Sequence, residues 1–312
     1  MSDAAYKQDR LASPSGADLA IYTHEAEGTP RGIVHINHGL AEHAGRYARM
    51  AARLAARGYH VIAHDHRGHG KTEAADGGPR RFADKDGWNK LMQDVAAVHA
   101  EARRRWPGLP LVIFGHSMGS VIAFNHILRA PDSVTAAAIW NGNMALGGLK
   151  GVMRLILAIE ALFGGGALAT SHMLDNLTFK AWNKRFPERR SDADWLSRDT
   201  DEVDAYVNDP LSGWPSTVSL WRDFLDGVAY AEDDNNLAAL PKALPMHLIA
   251  GSKDPATEGG KSMQALARRL RKAGLTEVRL EVLKDFRHET MNEIGRDAQI
   301  EAFADWLDQV TG

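Results

Sequence analysis

The chain has 312 residues, 44% of them hydrophobic, and a formal net charge of −3 at pH 7. This length suits an α/β domain with an insertion, and the weak negative charge gives no reason to expect a nucleic-acid partner. The absence of cysteine excludes disulfides, thiolate metal sites and cysteine nucleophiles. Residues 1–7 lack the apolar core of a signal peptide, so we expect a cytoplasmic protein.

The first half of the chain alternates predicted strands with predicted helices. Residues 6–11 and 18–23 flank a turn and predict a hairpin. Short apolar strands then alternate with amphipathic helices, a pattern typical of a mostly parallel sheet with helices on both faces. The sequence therefore predicts an α/β fold. These apolar strands are predicted at 32–36, 59–63, 111–114 and 134–140.

The alternation stops in the middle third of the chain, where turn signals and helical patterns replace strand patterns. Strand patterns return at 245–251 and 278–283, and an amphipathic helix follows them. We expect the inserted helices to lie over the carboxyl ends of the strands, where open α/β sheets bind ligands. The predicted domains are the N-terminal part of the core at 1–143, a helical cap or lid at 144–240, and the C-terminal part of the core at 241–312.

A G-x-S-x-G turn lies between a short apolar strand and an apolar helical run. This context predicts a nucleophile elbow, in which the serine stands above the sheet. Gly115 and Gly119 remove side chains that would clash in so sharp a turn. We therefore predict Ser117 as a nucleophile. His116 is interpreted as structural, because the turn itself determines its place.

A serine nucleophile needs a base, and the base needs an acid that orients it. In the fold that carries this elbow, the acid and then the histidine follow the serine in the chain. Asp254 follows the strand pattern at 245–251, and His288 follows the next one. Asp285 is the alternative acid, but it lies in the same loop as His288. We predict a Ser117–His288–Asp254 triad.

The oxyanion of a tetrahedral intermediate needs preorganised donors. One is the backbone N–H after the nucleophile, here that of Met118. The other comes from the loop after the first parallel strand, residues 38–41, in which we choose Leu40. The predicted oxyanion hole therefore consists of the backbone N–H groups of Leu40 and Met118.

Residues 38–47, which read HGLAEHAGRY, resemble the H-G-x-x-E-H-x-G-R-Y segment of monoglyceride lipases and bacterial lysophospholipases. This segment is the specific part of the resemblance, because many hydrolases share G-x-S-x-G. The likeness extends from about residue 15 to 310. Shorter segments similar to that family lie at 64–70, 115–120, 208–211 and 287–289.

The resemblance implies an α/β-hydrolase fold with a helical cap, and hydrolysis of single-chain acyl esters without a cofactor. On matching positions it implies Ser117 as nucleophile, Asp254 as acid and His288 as base. It likewise implies Leu40 and Met118 as oxyanion donors. These residues are the ones that the strand-end positions predict independently.

The sequence does not match the motifs of metal sites or of a nucleotide-binding loop. The zinc pattern H-x-H-x-D-H would need aspartate at Gly68, and H-E-x-x-H fails at Asn292. A phosphate loop ending in G-K-T would need glycine at Asp65. We predict no metal and no cofactor, and expect Asp65 and Arg67 to shape their loop through charge-assisted bonds. The histidines that raise the metal question are His60, His64, His66 and His69.

One helical pattern in the cap has an apolar face that Arg154 and Glu160 interrupt, which excludes a membrane span. We expect this face to pack on the core. The alternative is an amphipathic lid that makes peripheral contact with lipid aggregates. The apolar residues of this face are Val152, Leu155, Ile156, Ile159 and Phe163.

Three functions remain open from the residues. The first is a serine hydrolase that cleaves carboxylic esters of monoacylglycerols or lysophospholipids, with a short-chain esterase as its variant. The second is a peptidase of the prolyl-iminopeptidase type, which would need carboxylates in the cap. The third is a non-catalytic ligand-binding protein, which would not need the triad. The cap carboxylates are Glu188, Asp192, Asp194, Glu202 and Asp204.

Overall fold

The computed structural model of the protein describes residues 6–312. Residues 1–5, on which most of the signal-peptide prediction rests, lie outside the described residues. Within the described chain, nine strands form a single sheet. The strands are β1 (Lys7–Ala12), β2 (Ala17–His24), β3 (Gly32–Asn37), β4 (Tyr59–His64), β5 (Glu73–Ala74), β6 (Leu111–His116), β7 (Ala136–Trp140), β8 (Met246–Gly251) and β9 (Val278–Leu283).

The sheet has the order β1-β2-β4-β3-β6-β7-β8-β9, and the two-residue β5 pairs with β2. From β4 to β9 all neighbouring strands are parallel, whereas β1 and β2 form the predicted antiparallel hairpin. All residues of β3, β4, β6, β7 and β8 are buried, as expected for parallel strands covered on both faces. The predicted mostly parallel α/β fold is confirmed.

Ten α-helices accompany this sheet in residues 6–312. Those that contribute to the two core layers begin and end close to the predicted positions. The remaining helices lie between β7 and β8 in the chain. The helices are α1 (Ala48–Ala56), α2 (Gly87–Arg105), α3 (Met118–Arg129), α4 (Leu149–Phe163), α5 (His172–Asp175), α6 (Ala181–Asn183), α7 (Thr200–Asn208), α8 (Val218–Glu232), α9 (Lys261–Lys272) and α10 (Arg296–Thr311).

The core has two layers of side chains, one on each face of the sheet. On one face α2, α3 and α9 bury residues such as Val95, Ile122 and Leu266 against the strands. On the other face α1 and α10 bury residues such as Leu54 and Phe303. Because both faces are covered by helices, the carboxyl ends of the parallel strands are the open edge where a site can form.

Between β7 and β8, residues 141–245 form helices α4 to α8 and contribute no strand to the sheet. Helix α8 packs on α3 of the core, and α4 packs on α8. A separate apolar cluster joins these elements through Leu157, Trp221 and Leu225. Among residues 6–312, no helix combines the length and apolarity that crossing a membrane requires.

The prediction that the apolar face of α4 packs on the core is wrong. Leu155 is 62% exposed and Phe163 81%, and Val152 and Ile159 of the same face are exposed as well. The helix instead buries Met153 and Leu157 against α8. Because α8 lies between α4 and the core, only a narrow stripe of α4 finds a partner. The broad apolar face that the sequence pattern identifies points to solvent.

Candidate active site

Ser117 occupies the turn between β6 and α3 with φ 55° and ψ −121°. Few residues with a side chain adopt this left-handed conformation, which costs about 1–3 kcal/mol and persists only where the surroundings impose it. A Cβ on Gly115 would collide with the backbone oxygen of Gly119, and a Cβ on Gly119 with that of Asn37. The elbow therefore needs both glycines, because strand and helix approach within contact of their backbones.

The structure brings Ser117, His288 and Asp254 into one hydrogen-bonded chain. The His288 Nε2 atom lies 2.9 Å from the Ser117 Oγ, and its Nδ1 atom lies 2.9 Å from the Asp254 Oδ1. The three residues follow β6, β9 and β8, whose carboxyl ends meet at one edge of the sheet. Asp285, the alternative acid, is exposed and makes no hydrogen bond to His288.

Burial and charge shift the pKa values of Asp254 and His288 in opposite directions. Burial alone would raise the pKa of Asp254, but the positive charge on His288 and hydrogen bonds from His288, Asn141 and Thr257 lower it below its usual value. Burial would lower the pKa of His288, but the Asp254 carboxylate raises it above 6.5. Asp254 is thus an ionised acceptor that orients the imidazole and favours its cation.

The backbone N–H groups of Leu40 and Met118 have no acceptor within the described part of the chain. Both backbone polar groups of Gly39, which precedes Leu40, have side-chain partners. Glu42 Oε1 accepts a hydrogen bond from the Gly39 N–H at 2.5 Å, and His38 Nδ1 lies 2.8 Å from the Gly39 carbonyl oxygen. These contacts orient the loop without using the Leu40 N–H, which leaves that donor available.

Sequence reasoning did not identify a buried polar network beneath this loop. Arg46 bonds Glu42 at 2.6 Å and Glu289, which directly follows His288, at 2.5 Å. Burial would raise the pKa of Glu42, but its contacts with His116 and Arg46 lower it well below 4.5. Tyr47 donates to Glu42 at 2.8 Å. The network thus joins the loop of Gly39 to the loop that carries His288.

His116 completes this connection, consistent with its predicted structural role. Its Nε2 atom lies 3.1 Å from the His288 carbonyl oxygen, and its Nδ1 atom lies 3.1 Å from the Tyr47 hydroxyl. The signal for the network was present in the sequence. Glu42, Arg46 and Tyr47 lie in the specific segment 38–47. Their partner Glu289, however, lies 243 residues after Arg46 in the chain, and no local pattern predicts that contact.

A cavity of about 460 Å³ opens at Ser117, within the range of small-molecule sites. Leu40 and Met118 border it on the core side. Helices and loops between β7 and β8 supply most of the rest, and that part of the wall is predominantly apolar and aromatic. These residues include Leu146, Met153, Leu177, Phe179, Trp221 and Phe224.

The loop after β4 is shaped by charged side chains, as predicted. The Asp65 carboxylate accepts hydrogen bonds from the Ala44 N–H at 2.9 Å and the Tyr22 hydroxyl at 2.8 Å. Arg67 is fully buried and pairs with Asp94 at 2.8 Å. Both side chains are buried and bond to residues outside the triad, which fits a structural role.

The histidines of this region pack against one another. His64 Nδ1 lies 3.0 Å from His35 Nε2, and His64 Nε2 lies 3.1 Å from His66 Nδ1. His38 Nε2 accepts a hydrogen bond from the His66 backbone N–H at 2.9 Å. Burial holds the pKa of His64 at about 3 and that of His38 at about 4. These rings are therefore neutral in the folded protein at neutral pH.

The parallel sheet, the serine turn and the helices inserted between β7 and β8 define the class of the protein, which has the α/β-hydrolase fold. A thermostable carboxyl esterase from Bacillus coagulans, solved in complex with glycerol, shares this fold with a TM-score of 0.87 at 24% identity, covering 99% of both chains. The chain belongs to the serine aminopeptidase, S33 (Hydrolase_4) family, whose model matches residues 28–295.

Two relatives agree with the resemblance drawn from residues 38–47. The monoacylglycerol lipase of Mycolicibacterium smegmatis is 28% identical over 307 residues, covering 98% of this chain and 99% of the relative. Human monoglyceride lipase is 32% identical over 249 residues, covering 78% of this chain and 72% of the relative. The predicted resemblance is confirmed, and the protein is a carboxylic ester hydrolase.

Proposed function

We propose that the protein hydrolyses the esters of single-chain lipids, monoacylglycerols or lysophospholipids, with Ser117, His288 and Asp254 as its catalytic triad. The observation that carries this proposal is the largely apolar cavity of about 460 Å³ that opens at Ser117. An acyl chain gains free energy by leaving water for such a wall. The two lipases named above support the same substrate class.

In the proposed reaction, the Ser117 Oγ attacks the ester carbonyl carbon while His288 Nε2 takes the hydroxyl proton. The backbone N–H groups of Leu40 and Met118 stabilise the oxyanion. His288 then donates the proton to the leaving alcohol, and water attacks the acyl-enzyme by the same sequence of proton transfers. General base catalysis of this kind contributes about 10²–10⁴ in rate.

We also propose that residues 144–240 act as a cap that builds the acyl site, with the core at 1–143 and 241–312. Met153, Phe179 and Trp221 come from this stretch and face the same cavity as Ser117. We expect the cavity to accept only one acyl chain, because large side chains form its wall on several sides.

The peptidase alternative would need a carboxylate near Ser117 to bind a free amino terminus. None of the five candidate carboxylates of the cap lines the cavity, although Glu258 of the core does. Glu188 bonds Arg287, Glu202 bonds Arg49, Asp204 bonds Arg190, and Asp194 accepts hydrogen bonds from backbone N–H groups. These contacts favour the esterase, and the substrate panel below keeps the peptidase as a measured alternative.

Initial rates on one panel test the proposed function: monoacylglycerols, lysophosphatidylcholine, short and long p-nitrophenyl esters, and a prolyl arylamide. We expect the long single-chain lipids to give the highest kcat/KM, since their chains fill the apolar cavity. Ser117→Ala is the control for background hydrolysis. Turnover restricted to acetate and butyrate esters would make the protein a short-chain esterase, and turnover of the arylamide would favour the peptidase.

We propose in addition that α4 makes peripheral contact with lipid aggregates. Exposed apolar side chains of α4 and Leu177 of residues 176–180 form an apolar patch, and Leu149 and Leu177 also line the cavity. Exposed apolar patches of this kind mark interaction sites. The patch comprises Leu149, Val152, Leu155, Ile159, Leu162, Phe163 and Leu177.

Liposome flotation of the wild type and of Leu155→Asp tests this contact. We expect Leu155→Asp to reduce recovery with liposomes severalfold, because a charge at the patch centre opposes insertion. Ile294→Asp is the matched control, since Ile294 is exposed to a similar extent, 56%, outside α4. Equal recovery of the wild type and Leu155→Asp would contradict the membrane proposal.

A further inference from the structure

Four cationic side chains line the cavities that have Glu258 in their walls. All four are exposed, and within residues 6–312 none of them forms an ion pair or a side-chain hydrogen bond. Many other arginines of this chain, such as Arg46, Arg57 and Arg67, are paired with carboxylates. We call these four residues the basic rim, which consists of Arg185, Lys253, Lys261 and Arg268.

Three cavities meet at Glu258. The cavity that contains Ser117 has Arg185 and Glu258 in its wall. A second cavity, of about 380 Å³, shares both residues and adds Lys253 and Lys261. A third, of about 300 Å³, is lined by Glu258, Lys261 and Arg268. One residue of the basic rim, Arg185, thus lines the cavity of Ser117, and the other three line cavities that share Glu258 with it.

The charge at this place is unbalanced. Glu258 and Asp254 are the carboxylates that line these cavities, and Asp254 is buried and bonded to His288. Four cations thus face one accessible carboxylate. Glu258 itself adopts φ 53°, a left-handed conformation uncommon for a residue with a side chain and concentrated at functional sites. Unpaired cations around a cleft attract an anionic group.

We propose that the basic rim binds the phosphate of an anionic single-chain lipid while its ester lies at Ser117. This inference rests on the proposed function and specifies its substrate. The acyl chain then lies against the apolar wall formed by Leu146, Met153 and Phe224. The head group extends past Glu258 toward the basic rim. The enzyme prefers phosphate-bearing substrates, such as a 1-acylglycerol 3-phosphate, over the neutral glycerol ester of the same chain.

Monomeric substrates separate head-group recognition from membrane charge. We would measure kcat/KM for 1-octanoylglycerol and 1-octanoylglycerol 3-phosphate below their micellar concentrations. The ratio of the anionic to the neutral ester is expected to exceed one in the wild type. Arg185→Gln combined with Lys261→Gln is expected to lower this ratio by roughly two- to thirtyfold, the range for two exposed charge pairs. High salt should lower the wild-type ratio in the same way.

Two further variants sharpen the test. Glu258→Gln is expected to raise the ratio severalfold, because it removes the accessible carboxylate, and a loss of folding does not produce such a gain. Lys272→Gln removes a charge at the other end of α9, about 16 Å along the helix from Lys261, and is expected to leave the ratio unchanged. A wild-type ratio of one or below, or equal ratios in all variants, would overturn the inference.

Calorimetry on the Ser117→Ala protein gives a readout without turnover. We expect 1-octanoylglycerol 3-phosphate to bind more tightly than 1-octanoylglycerol, and the paired rim substitution to remove the difference. Inorganic phosphate is the third ligand, and much weaker binding of it is expected if the lipid head group is the source of the phosphate. Equal affinity for the two lipids would overturn the inference, whereas inactivity toward every ester would contradict the proposed function instead.

Discussion

Replacing Ser117 with alanine is expected to lower kcat for ester hydrolysis by a factor of about 10⁴–10⁶. The Ser117 Oγ lies 2.9 Å from the His288 Nε2, and no other hydroxyl bonds that nitrogen in the described chain. Initial rates with a p-nitrophenyl ester and labelling by a fluorophosphonate both report on this atom. The substitution retains the Cβ and the turn, so circular dichroism should be unchanged.

Asp254→Asn gives the companion measurement, with an expected loss of about 10⁴ in kcat. An amide has no charge to stabilise the imidazolium, and its N–H₂ group would meet donors from Asn141 and Thr257 instead of accepting from them. Asp285→Asn is the matched control, because Asp285 is exposed in the loop of His288 and should leave the rate unchanged. Full activity in Asp254→Asn, or labelling of Ser117→Ala, would contradict the proposed triad.

Lowering the pH from 7 is expected to destabilise the protein progressively and to unfold it at acidic pH. Besides His60, whose pKa is also lowered by burial, eight buried histidines have pKa values below 6.5, with burial as the largest cause in each. A folded-state pKa below the unfolded value means that the unfolded chain binds more protons, so stability is lost as the pH falls below 6.5. These histidines are His35, His38, His64, His66, His69, His99, His126 and His247.

The direction of this effect follows from linkage. Below the unfolded pKa, each such group lowers the free energy of unfolding further as the pH falls. Because a typical domain is stable by only about 5–15 kcal/mol, several such groups acting together are expected to unfold the protein at acidic pH. Because the folded pKa values of His38, His64 and His69 are about 3 to 4, their contribution grows until the pH reaches that range.

Tryptophan fluorescence and circular dichroism from pH 8 to 4 measure the transition. His99→Leu is expected to move the midpoint to lower pH, because it removes a protonatable ring whose two nitrogens have no hydrogen-bond partner within residues 6–312. His172→Gln, at an exposed position, should leave the midpoint in place. A protein that stays folded at pH 4 would contradict this prediction.

The sequence alone predicts the strands and helices of the core with small errors. Short apolar runs between turn residues are local signals, and burial on both faces of a parallel sheet requires such runs. The turn at Ser117 is also local, since Gly115 and Gly119 are needed wherever strand and helix approach so closely. The order serine, aspartate, histidine at strand ends follows from chain connectivity.

Other features depend on which surfaces meet in three dimensions. The apolar face of α4 has the same periodicity whether it packs on the core or faces water, and only the position of α8 decides that it is exposed. Two-residue β5 lies below the length at which a strand pattern is visible. Asp254 and Asp285 both follow strands; the sequence favours Asp254, and the structure adds the hydrogen-bonding contact with His288.

The sequence by itself determined the class of fold, the elbow and the candidate triad, because each depends on neighbouring residues or on their order in the chain. Only the tertiary structure decided the contacts between distant segments. Arg46 meets Glu289 across 243 residues, and His35 meets His64 across 29. Arg185 and Lys261 converge on one cavity from opposite sides of β8 in the chain. Pairings of this kind leave no periodic pattern, because they arise only once the packed elements place their side chains together.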